Sequence, residues 1–156
     1  MKTRMLVIAS ISLAFTFSAV AEEKAPYVGT WKLNLTKSRY DPGPPPKSAM
    51  AVNTPVDGGL RCVNDWVGAD GKPGHEEFTA KFDGKDYPVK GQGNGDTISL
   101  SRPDPYTVDW AYKAGGKVTW SGRTVYSKDG KTRTLTTKGT TAAGKPFSTQ
   151  AVYERQ

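Results

Sequence analysis

The sequence predicts an all-β fold: an antiparallel up-and-down β-barrel of about ten strands, with little or no helix. Short runs alternate apolar and polar residues with a period of two, as half-buried strands do. Asp-Gly or Gly-Gly turns recur roughly every 13 to 15 residues, which suits tight hairpins between neighbouring strands. No window shows the apolar period of 3.6 that a helix requires. A two-sheet sandwich fits this pattern nearly as well.

Residues 1–21 have the composition of a secretory signal peptide. A basic start with Lys2 and Arg4 precedes an apolar run, and Ala19-Val20-Ala21 forms a small-x-small cleavage site. An uncleaved membrane anchor is the alternative. We therefore expect a secreted or periplasmic product, with residues 22–156 forming a single β-barrel domain.

The charge pattern argues against nucleic acid as a partner. The chain carries 22 basic and 15 acidic residues, and loss of Lys2 and Arg4 with the leader would lower the net charge from +7 to +5. These charges are scattered singly among apolar residues, as on a solvated outer face. We expect a monomer with no nucleic-acid partner and no stable membrane span once the leader is removed.

The lone cysteine excludes an internal disulfide, so the core itself must stabilise the fold. Cys62 is expected to be a small buried hydrophobic residue, with an intermolecular disulfide or a reactive thiol as the alternatives.

We place ten strands between the turns. Their predicted ranges are Gly29–Leu35, Ala49–Val56, Leu60–Val67, Glu76–Phe82, Tyr87–Val89, Thr97–Arg102, Thr107–Lys113, Val118–Ser127, Arg133–Lys138 and Ser148–Arg155.

The first strand is the one around which we expect the barrel to close. Trp31, Leu33 and Leu35 fall on one side of it, and Gly29 lets the backbone enter tightly. We expect this strand to pair with the last one. Trp31 would then plug the base of the barrel, with Arg155 stacked on its indole.

The segment after the first strand holds Pro42, Pro44, Pro45 and Pro46, which forbid a helix. It is predicted either to lie across one mouth of the barrel or to be a rigid crossover to the second strand.

Alternation in the middle strands assigns one apolar face to the interior. The inward candidates are Leu60, Cys62, Asn64, Trp66, Phe78, Ala80, Phe82, Ile98, Leu100, Val108, Trp110, Tyr112, Val118, Trp120 and Tyr126. The large aromatic residues among them either line a ligand pocket or fill the core.

The two ends of the chain resemble the calycin superfamily, which comprises lipocalins, fatty-acid-binding proteins and avidins. Gly29-Thr30-Trp31 matches the opening Gly-x-Trp of that family, and Val152-Tyr153-Glu154-Arg155 resembles the last strand of fatty-acid-binding proteins. The resemblance implies a divergent secreted member of the bacterial type, with a barrel that binds a small ligand.

The resemblance also implies candidates for gripping an acidic group. Tyr153 matches the Tyr of the Arg-x-Tyr on the last strand of fatty-acid-binding proteins, while Ala151 takes the place of its Arg. Arg123 matches their late-strand Arg by its offset from a turn. By alternation with Trp120, however, Arg123 faces solvent unless Gly122 marks a bulge.

The single histidine gives no sign of catalysis or metal binding. His75 has no cysteine cluster and no Gly-x-Ser-x-Gly motif with it, so we expect a surface histidine, no metal and no cofactor.

The leading hypothesis is therefore a non-catalytic barrel that binds a small hydrophobic, possibly acidic, ligand. The ligand-binding candidates are Trp66, Phe78, Trp110, Tyr112, Trp120, Arg123 and Tyr153. A structural or protein-interaction barrel with a filled core is the alternative, and an enzyme is a third possibility. An interior space of roughly 300 Å³ or more would favour a carrier, and at least two converging titratable groups would favour an enzyme.

Overall fold

The chain folds into ten antiparallel strands in a computed structural model that describes residues 25–141 and 144–156. The predicted leader, residues 1–21, lies outside the described residues. The strands are β1 (Gly29–Asp41), β2 (Ser48–Val56), β3 (Gly59–Val67), β4 (Pro73–Lys81), β5 (Asp83–Gly91), β6 (Thr97–Asp104), β7 (Thr107–Ala114), β8 (Lys117–Tyr126), β9 (Thr132–Thr140) and β10 (Pro146–Arg155).

Each strand pairs with its neighbours in sequence, and β1 also pairs with β10, which closes the barrel. The predicted all-β, up-and-down barrel of ten strands is confirmed, and the sandwich alternative is wrong. Closure removes the unpaired edges that an open sheet would expose to other chains. None of the described residues belongs to a helix with the length and apolarity needed to cross a bilayer.

The proline-rich segment is a short crossover between the first two strands. Strand β1 continues to Asp41, so only residues 42–47 connect it to β2. The backbone N–H of Lys47 donates to the carbonyl of Val67 at 2.8 Å, which ties the end of this crossover to β3.

Two apolar residues that alternation placed inside lie on the surface, and each sits beside an irregularity in pairing. Leu35 is exposed because the register of β1 against β10 shifts between Asn34 and Arg39. Val118 is 58% exposed because the register of β8 against β7 shifts beside Tyr112. A bulge adds a residue to one strand and so reverses the inside–outside order beyond it.

One end of the barrel, which we call the floor, is closed around Trp31. Its side chain is 0% exposed, and Arg155 lies over the indole with its guanidinium carbon 4.4 Å from the ring centroid, the stacking expected from the sequence. Arg155 also donates to the carbonyls of Pro26 (2.8 Å), Val28 and Gly130. The N-terminal segment, the β8–β9 turn and the last strand are thereby held together.

A second aromatic group completes the floor. Tyr27 and Phe82 pack edge to face with ring centroids 5.2 Å apart, and Arg102 lies over both rings. Phe82, expected among the possible pocket residues, therefore packs in the floor.

Candidate ligand-binding cavity

Above the floor, the barrel encloses a cavity of about 220 Å³. Its lining begins beside Trp31, where Tyr126 and Arg133 lie, and reaches Tyr40 and Asn94 at the other end. Tyr40 and Asn94 belong to the end of the barrel that carries the β1–β2 and β5–β6 connections, which we call the mouth. The space is below the roughly 300 Å³ typical of drug-sized ligands, so any occupant is small.

Five of the seven predicted ligand-binding residues line this cavity. They are Phe78, Trp110, Tyr112, Trp120 and Tyr153. Their positions follow from the alternation of inward and outward residues along four different strands. The wall is completed by aliphatic residues such as Leu60, Ile98 and Leu100. A mostly apolar wall with a few polar groups is the usual form of a small-molecule site.

The tryptophans of the wall are held by contacts at the cavity edge. Trp110 and Tyr112 pack edge to face at 5.8 Å, and the indole N–H of Trp110 donates to Thr124 Oγ1 at 3.2 Å. Trp120 packs edge to face on Phe147 at 4.7 Å. These contacts fix the ring orientations, so the wall does not depend on a ligand for its shape.

The expectation that Trp66 lines the cavity is wrong. Trp66 points to the predicted side of β3, but its cross-strand partner on β4 is Gly74. With no side chain on Gly74, the indole lies over that glycine and packs against the edge of the core, and it is not among the residues that line the cavity.

Arg123 does not line the cavity either, which is the outcome that alternation with Trp120 indicated and not the inward position that the resemblance implied. Its Nε and Nη2 donate to the two carboxylate oxygens of Asp109 at 2.6 and 2.8 Å on the outer face of β7 and β8. The pairing of β7 with β8 is regular here and Gly122 makes no bulge, so Arg123 keeps the outward side that alternation gives it. The bidentate pair holds the pKa of Asp109 below its usual range.

Glu76 is a buried carboxylate in the cavity wall that the sequence reading did not single out. It is only 3% exposed, and its Oε1 accepts hydrogen bonds from Tyr112 Oη at 2.7 Å and Asn64 Nδ2 at 3.4 Å. Burial raises the pKa of Glu76 above its ordinary value of 4.5, and these two hydrogen bonds oppose the rise.

Arg133 is the second charged residue in the wall that the sequence reading missed. It is 6% exposed, and its guanidinium carbon lies 4.6 Å from the centroid of Tyr153 and 5.3 Å from that of Trp31. Across the described residues, it forms no ion pair with any carboxylate. A hydrogen bond with Arg133 opposes the rise that burial causes in the pKa of Tyr126, so this guanidinium has a neutral partner. A buried guanidinium without an anionic partner is still costly.

Unpartnered polar atoms are concentrated in this cavity. In the described part of the chain, five buried side-chain nitrogen or oxygen atoms have no hydrogen-bond partner. Four of them belong to residues that line the cavity, namely Asn53 Oδ1, Asn64 Oδ1, Glu76 Oε2 and Arg133 Nε. Buried polar atoms are nearly always paired, so a wall with four free ones is built to meet polar groups.

The other ionisable groups of the wall are held in their neutral forms. Burial raises the pKa of the Cys62 thiol to about 12 and that of the Tyr112 hydroxyl well above its ordinary value. The same cause raises the pKa values of Tyr40, Tyr126 and Tyr153. The tyrosines can therefore donate hydrogen bonds, while Cys62 remains an inert thiol.

His75 lies on the outer face of β4, where its Nδ1 is 2.6 Å from Asp65 Oδ1. Both side chains are more than half exposed, as expected of a surface histidine. Within residues 25–141 and 144–156, no three His, Cys, Asp or Glu side chains are grouped as metal ligands.

Comparison with known proteins gives no indication of function, so the function is argued from the geometry of the cavity. No family model matches the chain, and no curated protein matches it significantly in sequence.

Proposed function

We propose that this chain is a non-catalytic carrier that binds one small, largely apolar molecule with an anionic group inside the barrel. The observation that carries the proposal is Arg133: a buried guanidinium that makes no ion pair among the described residues, Glu76 of the same cavity included. A ligand carboxylate would supply the missing anion, and the apolar wall would take its hydrocarbon part.

Tyr153 supports the same placement of the anion. It lies directly opposite Arg133 in the pairing of β10 with β9, and its buried hydroxyl stays protonated as a donor. The resemblance to fatty-acid-binding proteins suggested an arginine clamp beside Tyr153. In this barrel the arginine that meets Tyr153 comes from the neighbouring strand, which fits a divergent relative of the calycins.

The alternative of a filled structural barrel is less well supported. The space of about 220 Å³ falls short of the roughly 300 Å³ expected of a carrier. A packed core, however, leaves few voids larger than a water molecule, and this space is lined by the charged residues Glu76 and Arg133.

An enzyme that uses the same cavity is the second candidate. It is favoured by the hydrogen bond from Tyr112 Oη to Glu76 Oε1, because two titratable groups meet there. The carrier is preferred because the thiol and hydroxyls are held neutral, so the cavity holds no activated nucleophile.

Export remains part of the proposal, since the predicted leader would deliver the carrier to the periplasm or medium. Intact mass spectrometry of the protein from its own host tests this point. A mass that begins at Glu22 is expected, and a mass that retains residues 1–21 would contradict it.

The ligand class is tested by calorimetric titration of refolded, ligand-free protein with hexanoic to dodecanoic acids and their methyl esters. We expect an acid of fitting length to bind about tenfold or more tightly than its ester, because only the acid carries a charge for Arg133. Arg133→Met should remove this preference, whereas Arg123→Met on the outer face should keep it. Equal binding of acid and ester, or no binding of either to folded protein, would contradict the proposal.

A further inference from the structure

The cavity contains a second polar site besides Arg133. Glu76 and Asn64 are cross-strand partners on β4 and β3, and both line the cavity. Glu76 Oε2 and Asn64 Oδ1 are buried without a hydrogen-bond partner, whereas Glu76 Oε1 is already engaged by Tyr112 and by the Asn64 amide. An anion held at Arg133 would satisfy neither of these two oxygens.

The second site lies near the mouth, while Arg133 lies beside the floor. Glu76 Oε2 faces Gly93 in the β5–β6 connection, so closely that a Cβ on Gly93 would stand 2.7 Å from it. Arg133 instead stacks near Trp31, the residue that plugs the opposite end. A molecule bound at both sites would therefore run along the barrel with a polar group at each end.

The chemistry of the two free oxygens restricts the group that fits them. Asn64 Oδ1 can only accept a hydrogen bond. Glu76 Oε2 accepts when the carboxyl is ionised and donates when it is protonated, and burial raises the pKa of Glu76 toward the protonated form. A hydroxyl has one proton to donate and can also accept, so it can donate to Asn64 Oδ1 while it accepts from the protonated Glu76 Oε2, the form that burial favours. With Glu76 ionised, the same proton could serve only one of the two oxygens. A carbonyl or ether oxygen could not donate, and a second carboxylate would be repelled by the ionised form.

We infer that the natural ligand is a hydroxylated aliphatic acid, with its carboxylate at Arg133 and its hydroxyl received by Glu76 and Asn64. This inference rests on the proposed function and adds the second polar group of the ligand. The roughly 220 Å³ of space limits the aliphatic part to a short or medium chain.

Matched pairs of probes test the hydroxyl. Ligand-free protein is titrated by calorimetry with hexanoic, octanoic, decanoic and dodecanoic acids and with their ω-hydroxy counterparts. Lengthening the chain moves the hydroxyl away from the carboxylate in steps, so the series measures the spacing between the two sites. We expect one ω-hydroxy acid to bind about tenfold more tightly than the plain acid of equal length.

Variants then assign that preference to the second site. Glu76→Met and Asn64→Leu should each bind the plain acid and the ω-hydroxy acid about equally, since the partners of the hydroxyl are gone. Arg133→Met should instead weaken both acids and retain the preference between them. The wild-type preference together with its loss in Glu76→Met would support the inference.

Two results would overturn it, and they are distinguishable. If plain and ω-hydroxy acids bind wild-type protein equally at every length, the second site holds only water, and the carrier proposal still stands. If no acid of either series binds protein shown to be folded by circular dichroism, the inference and the carrier proposal both fail.

Discussion

Two arginines stack near the same indole, yet their surroundings differ. Arg155 lies over Trp31 at 4.4 Å and donates to three backbone carbonyls of the floor. Arg133 lies 5.3 Å from the same ring, but its Nε has no partner and it lines the cavity. The part of the floor around Arg155 is thus an internally satisfied polar network, whereas the cavity wall has four of the five unpartnered buried polar atoms in the described residues, the fifth being Arg102 Nε in the floor. A satisfied arginine stabilises the fold, and an unsatisfied buried one is available to bind a ligand.

Arg155→Met tests the structural role assigned to Arg155 and should have the largest effect on stability. It leaves the carbonyls of Pro26, Val28 and Gly130 without their donor and removes the cation–π contact with Trp31. We expect the free energy of unfolding to fall by about 3 kcal/mol, measured by urea denaturation. Arg123→Met, in the exposed pair with Asp109, is the control and should shift the midpoint little. Equal midpoints for both variants would show that Arg155 does not hold the floor.

Gly29→Ala tests the same Arg155 contacts by a change in the backbone against which Arg155 packs. Gly29 has φ of +145°, and a Cβ there would stand 2.7 Å from Arg155 Nη1. We expect a loss of about 2 kcal/mol in the free energy of unfolding, from backbone strain together with displacement of the guanidinium.

Gly84→Ala is the control for a positive φ without a side-chain contact. Gly84 has φ of +75°, which alanine tolerates better than the +145° of Gly29, and a Cβ there would meet nothing within 4 Å. The loss in Gly29→Ala should therefore exceed the loss in Gly84→Ala. The excess should shrink when Gly29→Ala is combined with Arg155→Met, because the two changes disturb one contact. An excess that persists in the double variant would assign the whole effect to the backbone.

The floor could be predicted from the sequence because its determinants are local or terminal. Period-two alternation places Trp31 inside, and the turns repeat often enough to fix a meander whose first and last strands meet. The outward position of Arg123 also followed from alternation, since Trp120 and Arg123 lie on opposite sides of β8. The spacing of Arg123 from the preceding turn, taken from the resemblance to fatty-acid-binding proteins, predicted its position less well than alternation did.

The charged groups of the cavity were harder to predict. Glu76 lies on the same face of β4 as Phe78 and Ala80, so alternation does place an acidic residue in the interior. Glu77 follows it directly, however, and two adjacent acidic residues are usually interpreted as exposed. Arg133 lies in a run in which threonines flank the apolar Leu135, so alternation gives no contrast between the two faces. Which residues meet across strands depends on register and bulges, and neither can be read from composition.

Arg133→Met is the matching test of the other arginine. The same substitution should raise the free energy of unfolding at Arg133, whereas it should lower it at Arg155. Met replaces a buried charge that lacks an ion-pair partner with an apolar chain of similar length. The desolvation cost removed should exceed the loss of the cation–π contacts with Tyr153 and Trp31. We expect the free energy of unfolding of ligand-free protein to rise by about 1 kcal/mol, measured beside Arg155→Met under identical conditions. A loss as large as that of Arg155→Met would mean that Arg133 is a structural residue of the wall.

Glu76→Gln tests the end of the cavity wall near the mouth through the pH dependence of stability. Burial raises the folded-state pKa of Glu76 above its ordinary value of 4.5, so the folded protein holds this proton more tightly than the unfolded chain. The resulting stability is fully present below about pH 4.5 and is lost as pH rises through the folded pKa, by about 1.4 kcal/mol per unit of raised pKa. Glutamine does not titrate, so the stability of wild type relative to Glu76→Gln should decline as pH rises above about 4.5. Tyr112→Phe should extend that decline to higher pH, because the Tyr112 hydroxyl lowers the pKa of Glu76. Urea denaturation at a series of pH values measures each curve, and a constant difference across the range would show that Glu76 is as well solvated as a surface carboxylate.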